Sequence, residues 1–340
     1  MTPTFPDAGD PGGNNLHAAA DTGRGGHAVT WSATETGVLA RAVSHAPSVH
    51  NTQPWLLETR EGIADLYERC EVVLPRHDPT GRDRVLSCGA ALANLDLALR
   101  VLGWHTTTIL FPDIGRPGLI ARIHADGRRE ATDSEVEMYS AIFRRRSYRA
   151  PFSLHHIPGR AVRLLAECGE AEGAQAYAIQ GRAEAGVLAD LLICAGRALR
   201  DDRAYQRELI AWSARFPGPL PDPATLPWVG LVHGGTQVPD RITLTERLLA
   251  ERLLVVVTPG DSRRDHVLAG AVLERMWLTA VTHGLVGSVL TQPLHLPEMR
   301  AELAARLALP GCPQAILRVG YPVTATPAPA ALAAFGEDSS

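Results

Sequence analysis

Asp83-Arg84-Val85-Leu86-Ser87-Cys88-Gly89-Ala90-Ala91-Leu92 has an echo far downstream, Asp265-His266-Val267-Leu268-Ala269-Gly270-Ala271-Val272-Leu273. Gly89 and Gly270 stand 181 residues apart, and so do Leu92 and Leu273, Leu97 and Leu278, and Gly103 and Gly284. From Val85 to Leu102 apolar residues recur at helical spacing, and Gly103 stops the helix. In both copies a strand-like run follows the glycine, Thr106–Leu110 and Val286–Leu290. A period this long marks a duplicated domain, because solenoid units run to about 20–50 residues. Each half is therefore expected to be α+β, a small and mainly antiparallel sheet flanked by helices. One chain then carries the interface that a symmetric dimer builds from two. The expected division is a flexible leader (1–30), a first half (31–142), a second half (143–325) and a tail (326–340).

Local signals fill in this frame. The leader is rich in Gly, Asp, Asn and Pro and has too little apolar surface to fold. Order is expected from Trp31, with Ser32 or Thr34 capping a first helix that ends near His45. Trp55–Glu58 and Ala64–Tyr67 read as a strand pair around Glu61-Gly62, and Val72–Leu74 as a third strand closed by Pro75. Thr106–Phe111, Leu119–His124 and Leu254–Thr258 read as further strands, and Ala204–Ser213 as a helix. Between Phe216 and Trp228 the prolines rule out a helix and stiffen the chain into an extended loop, either a surface excursion or a functional element.

Composition narrows the function. The 340 residues carry a formal charge of -4 with mixed signs, which gives no nucleic-acid or membrane-surface signature. No apolar run is long enough to span a bilayer, and no basic-then-apolar leader suggests export. The five cysteines are scattered and never form a CxxC pair, as expected of reduced thiols in a cytoplasmic protein. GxGxxG after a strand, GxxxxGK[ST] and HExxH are all missing, and His155-His156 reads as a surface pair.

Two polar stretches remain, one in each half. Ala46-Pro47-Ser48-Val49-His50-Asn51-Thr52-Gln53-Pro54-Trp55 places hydroxyl, amide and imidazole groups between two prolines at a helix end. Such a loop offers donors and acceptors that the core does not need, either as a plain surface turn or as a ligand site. Arg144-Arg145-Arg146-Ser147-Tyr148-Arg149 packs four arginines and a serine into six residues. This is a solvated face or a compact anion site, since the guanidinium fork suits phosphate.

Together these stretches resemble the FMN-dependent nitroreductase family, and within it the tandem-repeat, Acg-like branch. The similarity runs from about Trp31 to Tyr321, through Thr291-Gln292-Pro293 and Pro313–Tyr321. The resemblance implies that FMN lies between the halves, in one complete site. Arg145, Arg146 and Ser147 are then expected at its phosphate and ribityl chain, and Arg149 near N1 and O2, where a fixed cation stabilises the reduced ring. Pro47, Ser48, Val49, Asn51 and Gln53 are expected to line the ring, and Thr291 and Gln292 to face N5. Trp55 reads as core.

The implied activity is hydride transfer from NAD(P)H through the flavin to a nitroaromatic, quinone or other conjugated small-molecule acceptor. The alternatives are a flavin-sequestering protein with a lid over residues 214–229, or a flavin-dependent desaturase. As an internal pseudo-dimer the chain could act as a monomer. Relatives carry basic residues after the last core strand, whereas no Lys or Arg follows Arg318 here.

Overall fold

The computed structural model describes residues 30–168, 173–213 and 232–323. Most of the leader, the 214–229 segment and the 326–340 tail lie outside them. The first half runs α1 (Ala33–Ser44), β1 (Trp55–Arg60), β2 (Ile63–Glu68), α2 (Arg82–Val101), β3 (Trp104–Leu110), β4 (Leu119–Arg128) and α3 (Asp133–Arg144). The second runs α4 (Gly159–Glu167), β5 (Gln175–Ala178), α5 (Gly181–Asp201), α6 (Arg203–Ser213), α7 (Arg241–Ala250), β6 (Arg252–Thr258), α8 (Arg263–Thr282), β7 (Val286–Leu290), α9 (Pro297–Arg306) and β8 (Cys312–Gly320).

Two four-stranded antiparallel sheets share one order, β1-β2-β4-β3 and β5-β6-β8-β7. This is the duplication expected from the repeat, and the fold is α+β twice over. The starts of α2 and α8 are 181 residues apart and so are their ends. Ser32 caps α1 through a reciprocal pair with Glu35, and His45 closes the helix. The halves differ in what joins their first two strands. Glu61-Gly62 turns tightly between β1 and β2, with Gly62 at φ 64, whereas α5, α6 and α7 are inserted between β5 and β6.

That insertion explains the apolar run in β6. Leu254 and Val256 join the core that spans both halves, while Leu253, Val255 and Val257 join a second core under α5, α7 and α9. A strand covered on both faces needs no polar alternation. By contrast β1 buries only Trp55 and leaves Leu56 and Glu58 exposed.

The larger core is continuous across the repeat, and α2 and α8 cross at its centre. At the crossing, a Cβ on Gly89 would lie 2.1 Å from the Val267 carbonyl oxygen, and one on Gly270 1.9 Å from that of Leu86. The two aligned glycines are therefore what lets the helix backbones touch.

One expected strand is absent. Val72 and Val73 take no regular structure, and Leu74 makes a single bridge, to Asp78. The segment instead prepares the start of α2, where the Asp78 carboxylate accepts from the N–H groups of Asp83 (3.2 Å) and Arg84 (2.8 Å). Glu208 of α6 accepts from the neighbouring N–H groups of Arg76 and His77. The run's own groups are taken locally, Val72 N donating to the Arg69 carbonyl (3.1 Å), the Val72 carbonyl accepting from Arg84 Nη1 (3.3 Å) and the Leu74 carbonyl from Asp78 N (2.8 Å), so it joins no sheet.

Candidate functional site

The loop after α1 is held in a costly conformation. His50, Asn51 and Gln53 have φ of 49, 55 and 47, in the left-handed region that non-glycine residues seldom occupy. Local bonds fix it. Ser48 Oγ accepts from Gln53 N (3.0 Å), Ser87 Oγ from Val49 N (3.3 Å), and the Ser44 carbonyl from Gln53 Nε2 (3.0 Å). Asn51 and Gln53 are exposed, Pro47, Ser48 and Val49 half-buried, and Trp55 is in the core. Strain of this kind persists only where the surrounding structure over-determines it.

The arginine run begins at the last residue of α3 and is pinned at three points. Arg145 Nη2 donates to the His45 carbonyl (2.7 Å), at the mouth of the strained loop. Tyr148 N donates to the Gly287 carbonyl (2.8 Å), next to β7. Arg318 Nη1 donates to the Tyr148 carbonyl (3.3 Å). The run thus lies between the first half's loop and the second half's sheet.

Only part of it faces outward. Arg146, Ser147 and Arg149 are exposed, and Arg146 donates back to the carbonyls of Phe143 and Arg145. Arg149 is near enough to His50 to help disfavour its protonation. Arg145, expected at a phosphate, turns inward. Its guanidinium stacks 4.5 Å from the Trp277 ring and sits 3.4 Å from Glu274. Arg318 is fully buried in a two-bond pair with Glu251, at 2.6 Å and 2.6 Å, so it reaches no surface ligand either.

The third segment, Thr291 and the turn Gln292–His295, follows β7. Its last residue connects it to the loop, because His295 packs against His77 (4.4 Å) and His77 against His50 (4.3 Å between ring centres). All three expected segments therefore converge. Sequence reading missed this histidine chain and its buried end, Asp83, because residues 50, 77, 83 and 295 share no local pattern.

Charge in this region is tightly controlled. Burial, and next the neighbouring His295, lower the His50 imidazole to about 4. Burial likewise keeps His77 neutral. Asp83 is opposed by burial, yet Arg82 (2.7 Å) and His295 (2.8 Å) hold its carboxyl well below the usual range.

Glu274 shows the opposite balance. Complete burial pushes its carboxyl up to about 7, and the ion pair with Arg145 at 3.4 Å offsets only part of that. Between the ordinary carboxyl value of 4.5 and about 7 the folded state holds a proton that the unfolded chain has lost. Stability from this group is therefore highest in acid and falls as pH rises through that window. Glu274→Gln, which imitates the protonated form, should flatten this part of the profile. Urea midpoints across the window check it, and an unchanged slope would assign the titration to other groups.

Comparison with known proteins gives the lineage. No family model matches the chain. A Mycobacterium tuberculosis protein named "Putative NAD(P)H nitroreductase Rv3131" is 30% identical over 306 residues, 86% of this chain and 86% of that protein. "Putative NAD(P)H nitroreductase acg" of the same species is 27% identical over 313 residues, 87% of this chain and 92% of its own length. Among solved structures, the FMN-dependent nitroreductase NfnB from Mycobacterium smegmatis in complex with NADPH overlaps 61% of this chain and all of its own, at TM-score 0.38 and 17% identity. A Bacteroides fragilis nitroreductase with bound FMN overlaps 55% of this chain and 88% of its own, at TM-score 0.37 and 16% identity. Those overlaps are low, so lineage rests on the sequence relatives. At 30% identity across 86% of both proteins, the chain belongs to the nitroreductase family.

Proposed function

We propose that this protein is an FMN-dependent NAD(P)H oxidoreductase acting on a nitroaromatic, quinone or other conjugated small molecule. The observation that carries the reading is the meeting of the strained Ser48–Gln53 loop with the exposed Arg146–Arg149 face, tied together by Arg145 on the His45 carbonyl. The donor set suits a flavin mononucleotide, with cations and a hydroxyl for the phosphate end and amides for the ring. When bound, FMN supplies the redox chemistry, taking hydride from NAD(P)H and returning it to the acceptor.

This chain's residues bind and orient. Arg146 and Ser147 hold the phosphate and ribityl chain, and Arg149 stabilises negative charge on the reduced ring. Pro47, Ser48, Val49, Asn51 and Gln53 line the ring, while Thr291 and Gln292 border its reactive edge. Arg145 acts through position, fixing where the loop and the arginine face meet. Asp83 keeps its charge and His50 stays neutral, so no imidazolium competes with Arg149 at neutral pH.

Asn51→Ala and Arg149→Ala lie on opposite halves, and each should weaken FMN binding. Loss of the charged partner at Arg149 is worth about 1.5–3 kcal/mol, about ten-fold or more in affinity. Flavin fluorescence titrations check this, and wild-type affinity in both variants would refute a shared site. Steady NAD(P)H oxidation with menadione or a nitrofuran is expected of the wild type. A yellow protein that oxidises neither cofactor would instead be a flavin-sequestering one.

A further inference from the structure

Beneath the strained loop, outside the proposed flavin contacts, lies a donor set that hydride transfer does not use. One ring nitrogen of His77, one of His295 and one carboxylate oxygen of Asp83 lie within 4.8 Å of one another. His50 Nε2 is 3.2 Å from His77 Nδ1. His295 Nε2 is 2.8 Å from Asp83 Oδ2. The second of these separations is close to an edge of a small coordination polyhedron, while the first ties His50 to His77 from outside the set. A tetrahedral zinc ion with Zn–N of about 2.0–2.1 Å holds its ligand atoms about 3.3 Å apart.

The set is also short of hydrogen-bond partners. His295 spends its Nε2 on Asp83, and its Nδ1 is buried with none among the described residues, in a side chain only 6% exposed. An unmet buried polar atom costs about 1–3 kcal/mol, which a bound ion can relieve either directly or by rearranging the ring. The surroundings are those of a built site. Tyr205 stacks 6.0 Å from His77, Trp212 lies 6.1 Å from His50, and Glu208 accepts from the His77 N–H. Arg82 holds the second oxygen of Asp83 at 2.7 Å and donates to the Gln314 carbonyl, fixing the carboxylate as outer-shell partners do.

We propose that His77, Asp83 and His295 bind a divalent transition-metal ion of the zinc type. Two imidazoles and one carboxylate, with a fourth position left open, suit zinc ahead of magnesium or calcium, which prefer oxygen. The ligands come from both halves, His77 just before α2 and Asp83 in its first turn, and His295 from the turn after β7. The ion would tie the start of α2 to the second half, with the loop attached through His50 on His77. Arg82 and Arg149 lie near the cluster, so affinity is lower than in a closed structural zinc centre.

The test uses the full-length flavin-loaded protein, stripped with a chelator and titrated with Zn2+ by calorimetry. Zinc content is measured after dialysis, and the first shell is read by X-ray absorption, which flavin colour does not obscure. About one equivalent in a mixed nitrogen and oxygen shell is expected. His77→Ala and His295→Ala should each lower affinity about 100-fold or more, beyond the about 10–100-fold of an outer-shell change. His50→Ala, which removes the hydrogen bond to His77 Nδ1, covers the case in which the buried variants fail to fold and should lower affinity about 10–100-fold. His155→Ala/His156→Ala removes the exposed histidine pair and should leave the signal unchanged. Uptake lost with that pair, uptake insensitive to His50, His77 and His295, or no uptake by the wild type would each overturn the proposal.

Discussion

Gly270→Ala should destabilise the protein by about 3 kcal/mol or more, the upper end of what overpacking a core usually costs. The added methyl would sit 1.9 Å from the Leu86 carbonyl oxygen and 2.8 Å from its carbon. Both are backbone atoms of α2, so no rotamer change relieves the clash and the helices must separate. Separation opens the core that spans the two halves, and loss of packing there adds to the cost.

Gly89→Ala should behave similarly, since its methyl would lie 2.1 Å from the Val267 carbonyl oxygen. The double variant should cost less than the sum, because both changes push the same two helices apart. Gly37→Ala is the contrast. Nothing lies within 4 Å of a Cβ at that position in α1, so the change should stabilise by about 0.5–1 kcal/mol. Denaturant midpoints decide, and a Gly270→Ala protein as stable as the wild type would mean that the helices do not cross at these glycines.

The second large effect is expected at Arg145. Removing one partner of a buried ion pair generally costs about 3–5 kcal/mol, because the other charge is left stranded. Here the stranded group is Glu274, which is wholly buried and already pushed up to about 7. It can escape by taking up a proton. Arg145→Met should therefore be most damaging above neutrality, at about 3 kcal/mol or more, and milder in acid. The residual acid-side loss measures the bond to the His45 carbonyl and the stacking on Trp277. FMN affinity should fall at every pH, since the loop and the arginine face lose their tie. A pH-independent destabilisation would show that Glu274 does not respond to Arg145.

How much of this was legible in the chain depends on the distance over which each cause acts. The limits of α2 and α8 follow from apolar spacing and a stopping glycine, both local, and the repeat supplied their equivalence. The loop after α1 was legible because proline acts on the residue beside it. Val72–Leu74 misled because three apolar residues have no period, and the demands of the α2 start decide their path. The arginine run hid which side chain turns inward. Composition treats Arg144, Arg145 and Arg146 alike, whereas Trp277 and Glu274 on α8 select Arg145 alone. The histidine cluster was illegible for the same reason, because only the folded chain brings residues 50, 77, 83 and 295 together.

The crossing of α2 and α8 also changes how the protein should respond to dilution. Two separate subunits joined by such a crossing obey mass action, and any surface shared between them is lost as concentration falls. Here both helices belong to one polypeptide, so each finds the other at a fixed effective concentration. The strained loop and the arginine face stay opposed even in a solution holding very few molecules.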